Sequence, residues 1–213
     1  MTEPPYFTVA GPADAIGQVD VKRSRFLAVV RRVDTEDSAR ALLAELRREH
    51  HDARHHCSAF ILGPRAETMR SNDDGEPSGT AGAPMLDVLR GAELSDVATV
   101  VVRWFGGTLL GAGGLVRAYG DAVASALESA TVIRREQRTL SRVSLPHADA
   151  GRVEAELRAR GIAVLETEYA AQATLLLATS DLADAEAAVA ASTAGSAHVE
   201  PSGTQWVDVR ASR

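Results

Sequence analysis

The sequence predicts an α+β protein of two domains. Three observations carry that prediction. From Phe7 to about Glu136, strand patterns alternate with helical ones and enclose two glycine-rich stretches. From Gln137 onward the texture becomes short, regular and glycine-poor, in the order βαββαβ that defines the ferredoxin-like arrangement. The 213 residues are 45% hydrophobic, enough for ordinary cores, and contain no apolar run long enough to cross a bilayer. The expected domains are therefore 1–136 and 137–213.

The elements follow in order. Phe7–Ala10 and Arg25–Val33 read as strands. A helix begins at an Asp34 or Thr35 cap, with Glu36 and Asp37 in its first turn. Ala41, Leu42, Glu45 and Leu46 give it helical spacing, and Arg47 and Arg48 suit its C-terminal end. Cys57–Leu62 is a strand, with a hairpin partner over Glu67–Ser71 after the Gly63-Pro64 turn. The first glycine-rich stretch, Asn72–Gly82, leads into a helix over Ala83–Leu89 that Ser78 or Thr80 is free to cap. Within Asp96–Phe105 the β-branched run Val97–Val102 predicts a strand buried on both faces. The second stretch, Arg103–Gly120, feeds a helix over Leu115–Glu128, and the charged Arg134–Arg138 stretch reads as the linker.

In the second domain Leu140–Leu145 is a strand, Ala148–Arg160 a helix ended by Gly161, and Ile162–Glu168 and Ala171–Ala178 are strands. A helix over Asp181–Ala191, capped by Asp181 or Ser180, and a strand over Gly203–Arg210 complete the set.

Charge and cysteine content narrow the function. A net charge of −6 and a pI near 5.5 argue against a strong non-specific hold on nucleic-acid phosphates, while leaving room for a local basic face. The near-exclusive use of arginine over lysine reads as a coding bias. Cys57 is the single cysteine and cannot form an internal disulfide, and Met1-Thr-Glu-Pro-Pro lacks a secretory signal's basic and apolar regions. A cytoplasmic protein with no membrane contact is expected.

The glycine-rich stretches concentrate backbone freedom where a turn or a close backbone approach needs it. Gly111–Gly114 directly before a helix turns free N–H groups toward whatever lies opposite, and Arg103 and Arg117 add charge, which makes an anion site. The plainer reading is that these glycines let a helix pack tightly on a sheet. Nucleotide fingerprints fail: Leu115-Val116 stand where a P-loop needs Lys followed by Ser or Thr, and Gly106-Gly107 to Gly111 lacks the dinucleotide spacing.

Asp73, Asp74 and Glu76 raise a metal question, but their spacing fits turn chemistry better than a hard-cation loop. His51 and His55 have the four-residue spacing of zinc-binding helices, yet the second histidine pair enters a strand. Cys57 beside His55 and His56 has the composition of a nucleophile with its base, although its place in a strand predicts a buried structural thiol. No metal, cofactor or catalytic residue is assigned. The candidate binding residues are Arg103, Gly106, Gly107, Gly111, Gly113, Gly114 and Arg117 on one stretch, and His55, Asp73, Asp74, Glu76 and Ser78 on the other.

Four ordered segments, Lys22–Leu27, Asp52–Ala59, Asp73–Gly82 and Arg103–Gly107 with Leu110–Tyr119, together resemble the IMPACT/YigZ family. The resemblance implies an N-terminal domain similar to a ribosomal-protein domain and to domain IV of the translocating elongation factor, and a C-terminal elongation-factor-like ferredoxin domain. In eukaryotic members it implies translational control under amino-acid starvation. The chain departs from the usual pattern at Asn72, Trp104 and Thr108-Leu109, the last removing a lysine from beside the proposed anion site.

The leading expectation is a translation-linked regulatory binding protein, with RNA, the ribosome or a translation-factor-related protein as partner. A second reading is an enzyme or binder acting on a small phosphorylated or carboxylated ligand. A third is an assembly module built on the ferredoxin-like half.

Overall fold

The structure is a computed structural model describing residues 3–210, and the chain divides into one unit built from Pro5–Arg135 and another from Glu136–Asp208. The first contains β1 (Tyr6–Val9), β2 (Ala15–Val21), β3 (Ser24–Arg32), α1 (Glu36–Glu49), β4 (His55–Leu62), β5 (Thr68–Asn72), α2 (Gly82–Gly91), β6 (Val97–Trp104) and α3 (Ala112–Ser129).

Its sheet has the order β2-β3-β6-β4-β5, with every neighbouring pair antiparallel. Strand β6 runs through the middle and is buried from Val97 to Arg103. Alternation along it explains why. Ala98, Val100 and Val102 pack on Leu42 and Leu46 of α1, whereas Val97 and Val101 pack on the other face with Met85 and Leu89 of α2 and Tyr119 and Val123 of α3. A strand covered on both sides has no use for a polar alternation, which accounts for the run of β-branched residues.

Helix α1 starts as its sequence indicates. Thr35 and Ser38 form a reciprocal capping box, Glu36 and Asp37 sit in the first turn, and Arg47 and Arg48 in the last. The start of α2 departs from expectation. Neither Ser78 nor Thr80 caps it; Asp73 reaches across the loop and accepts from the backbone N–H groups of Gly79, Ala81 and Gly82 at 2.8, 3.1 and 2.8 Å.

Strand β2 is absent from the sequence prediction because the buried positions of its first half, Ala15 and Gly17, are small residues. An added Cβ at Gly17 would stand 2.2 Å from the backbone nitrogen of Ala126, so α3 crosses β2 at van der Waals contact and glycine is what fits. The Arg134–Arg138 stretch is strand: it lies within β7 (Val132–Leu145), whose residues Val132–Arg135 pair antiparallel with β1.

The second unit continues with α4 (His147–Ala159), β8 (Ala163–Tyr169), β9 (Ala173–Thr179), α5 (Leu182–Thr193) and β10 (Val199–Arg210). β9 lies between β7 and β8, and β10 pairs with the other side of β7. In order of appearance that is 4-1-3-2, the ferredoxin-like sheet. Val143, Leu145, Leu175 and Leu177 meet Val153 and Leu157 of α4 and Ala185 and Val189 of α5 in one core. Asp181 caps α5 through the Ala183 N–H, and Gly161 takes a φ of 82° just after α4. Among the described residues no helix is long and apolar enough to cross a membrane.

Candidate functional site

The two glycine-rich stretches meet. Gly75, Glu76 and Pro77 from one, and Phe105, Leu109–Ala112 and Leu115 from the other, line a cavity of about 320 Å³ that Arg54, His55 and Arg103 complete. The register between β4 and β6 sets His55 opposite Arg103, and β6 delivers Arg103 to the same sheet face as the α3 helix.

A buried polar network forms one wall of the cavity. Arg103 Nη1 donates to Glu76 Oε1 at 2.5 Å, and the Tyr119 hydroxyl donates to the same oxygen at 2.8 Å. His55 Nε2 stands 3.9 Å from it. The Cys57 thiol lies within hydrogen-bond reach of both the Asp73 carbonyl and the Tyr119 oxygen, which share its one hydrogen. Burial, more than any neighbour, pushes the Cys57 thiol up to about 12 and drives the Tyr119 phenol upward as well. A thiol held protonated is a poor nucleophile, so Cys57 is a structural group.

The acidic loop is folded on itself. Asp74 accepts from Arg47 at 2.6 Å and from the His56 N–H at 2.7 Å, while its own N–H donates to Asn72 Oδ1. Its carbonyl accepts from His55 Nδ1 at 2.8 Å, which leaves Nε2 as the ring nitrogen facing Glu76. Burial raises the Asp73 carboxyl, but its three backbone donors outweigh that and hold it below the usual range.

The proposed binding residues thus separate. His55, Glu76, Arg103 and Gly111 share the cavity; Asp73, Asp74, Ser78, Gly106, Gly107, Gly113, Gly114 and Arg117 do not line it. Arg103 is only 5% exposed and ion-paired, so it is no free surface charge. Arg117 is exposed on α3. Gly106 serves packing: an added Cβ would lie 2.1 Å from the Arg23 carbonyl carbon.

A second feature adjoins the cavity, and residue-type reasoning missed it. Lys22 and Arg23 form the two-residue turn between β2 and β3, with φ of 45° and 69°. Arg25 stacks on the Trp104 indole with its guanidinium carbon 3.7 Å from the ring centre. Arg54 lies over Phe105 at 5.9 Å. Asp52 accepts from Trp104 Nε1 at 2.8 Å and fixes the ring, and Arg23 donates to Thr108 at 3.0 Å. The available signal was Lys-Arg in a hairpin turn that ordinarily selects Asn-Gly.

The Impact N-terminal domain model matches residues 22–127, and a domain of unknown function, DUF1949, matches residues 143–196. A Bacillus subtilis protein named IMPACT family member YvyE is 40% identical over 164 residues, covering 77% of this chain and 75% of that protein. This chain belongs to the IMPACT family. Escherichia coli IMPACT family member YigZ is 44% identical over 122 residues, 56% of this chain and 60% of that one. A crystal structure titled a hypothetical protein superposes with a TM-score of 0.63 at 34% identity, covering 92% of this chain and 96% of the other. Both domain matches of this IMPACT family member fall where the two glycine stretches and the ferredoxin-like sheet lie.

Proposed function

We propose that this protein is a translation-associated RNA-binding regulator rather than an enzyme, and that it holds RNA on the face formed by Lys22, Arg23, Arg25 and Arg54. The stacking of Arg25 on Trp104 carries the reading. A guanidinium laid flat on an indole keeps its charge toward solvent and its rotamer fixed, which suits contact with phosphate and stacking of bases. Phe105, 39% exposed beside Arg54, offers a second ring.

Charge supports the same direction. The chain as a whole is at −6, so four exposed cations at one corner stand out against an acidic background. Asp52 and Asp20 beside this face are held by Trp104 and Gln18, with no ion pair to any of the four cations among the described residues. The turn adds weight, because two non-glycine residues in left-handed conformation cost stability that the charges they present can justify. The likeness to ribosomal and elongation-factor domains implied by the sequence motifs directs the proposal to translation.

Fluorescence anisotropy with a single-stranded RNA, followed across salt, tests it. The Lys22→Gln, Arg23→Gln, Arg25→Gln triple variant is expected to bind weakly, and its log K against log salt slope to be shallower by about 0.7 per lost phosphate contact. Wild-type affinity and slope in that variant would remove the face from consideration.

A further inference from the structure

We infer that the cavity between the two glycine-rich stretches is a binding site for a phosphate monoester carrying an apolar body, bordering the proposed RNA face and sharing Arg54 and Phe105 with it. The anion end is set by the start of α3. Gly111 caps that helix with no side chain, and the first intrahelical bond runs from the Leu115 N–H to the Gly111 carbonyl. The N–H groups of Ala112, Gly113 and Gly114 therefore have no acceptor within the helix, and they lie at its positive end, where Gly111 and Ala112 border the cavity.

An independent observation points the same way. Arg103, 5% exposed and lining the cavity, has its Nε buried with no hydrogen-bond partner among the described residues. Its Nη1 is committed to Glu76, so the pair is neutral as a whole and the positive charge at the cavity comes from Arg54 and the start of α3. Arg54 adds a second guanidinium at the rim. A helix end and two arginines bring donors to this cavity from separate elements, more than the two oxygens of a carboxylate can take up. A phosphate monoester, with three terminal oxygens and a larger charge, can use them.

The rest of the cavity asks for more than phosphate. At about 320 Å³ it has the size of a small-ligand site. Its remaining wall is apolar, formed by Phe105, Leu109, Leu110, Leu115 and Pro77. Leu109 is 83% exposed, an outlay of apolar surface that a ligand's body would cover.

Thermal melting and calorimetry on the full chain test the site with phenyl phosphate, orthophosphate and benzoate as probes. Phenyl phosphate is expected to raise the melting temperature most, orthophosphate less, and benzoate least. Ala112→Asp puts a carboxylate at the α3 start, where it suits the helix dipole, so the unliganded melting temperature should hold while phenyl phosphate affinity falls by about tenfold or more. Leu109→Ser should narrow the gap between phenyl phosphate and orthophosphate. No response of wild type to phenyl phosphate, or an equal response in Ala112→Asp, would overturn the site. An equal response to benzoate would overturn its assignment to phosphate. The Lys22, Arg23, Arg25 triple variant should retain the phenyl phosphate response whatever its RNA affinity, so the two readings fail separately.

Discussion

Arg103 and Glu76 form an ion pair in which both side chains are almost wholly buried, 5% and 4% exposed. They join β6 to the loop before α2 at one wall of the cavity. A pair of this kind is costly to break on one side, because the partner left behind keeps its charge without water or counter-charge. Glu76→Gln is expected to lower stability by about 3–5 kcal/mol in urea denaturation. Arg103→Met combined with Glu76→Gln should recover a substantial part of that loss. A single variant within about 1 kcal/mol of wild type would show that the pair is not closed to solvent.

Cys57 tests the same interior from another side. With its thiol pushed up to about 12 by burial, it should resist a thiol-specific chromogenic reagent at pH 8 in the native chain and react promptly in denaturant. Prompt reaction of the folded protein would contradict the assignment of Cys57 as structural.

Asp73 gives a pH dependence with a definite sign. Its folded carboxyl lies below the ordinary value because the Gly79, Ala81 and Gly82 N–H groups outweigh burial. The stabilisation is therefore fully present above the unfolded value of about 3.9 and is lost as pH falls through the lower folded value. Asp73→Asn should destabilise at neutral pH by about 1–3 kcal/mol and flatten the decline in stability below about pH 4. Parallel wild-type and variant curves through that window would show that another group sets the acid limb.

Glycines in this chain divide by what surrounds them. Gly17→Ala should cost about 1–3 kcal/mol or more, since its Cβ would meet the α3 backbone. Gly113→Ala has open space around it within α3 and should be neutral or gain up to about 1 kcal/mol. Comparable thermal shifts for the two would mean that β2 and α3 do not pack as closely as described.

Long periodic elements were legible in the sequence. The Val97–Val102 run indicates a doubly covered strand, the Thr35 cap and the arginines at its end frame α1, and the βαββαβ order gives the second unit its sheet. Strand β2 was not legible, because Gly17 and Ala15 are small for reasons that lie in α3, more than a hundred positions away. Asp73 was read as part of a turn, and its capping of α2 depends on a loop that folds back over several residues.

The same applied to the site. The glycine stretches were recognisable as a place where backbone approaches something, but residue types alone do not say that Arg103 faces inward to Glu76 while Arg117 faces away. The cations at Lys22, Arg23 and Arg25 were visible as part of a motif. The register that sets Arg25 beside Trp104 was not legible there.

The turn at Lys22-Arg23 has a consequence for engineering. Asn-Gly at those two positions relaxes both left-handed residues and removes both charges. Such a chain should melt later than the natural one and, on the proposed RNA face, bind RNA more weakly, so selection for thermal robustness alone would work against the charges at this turn.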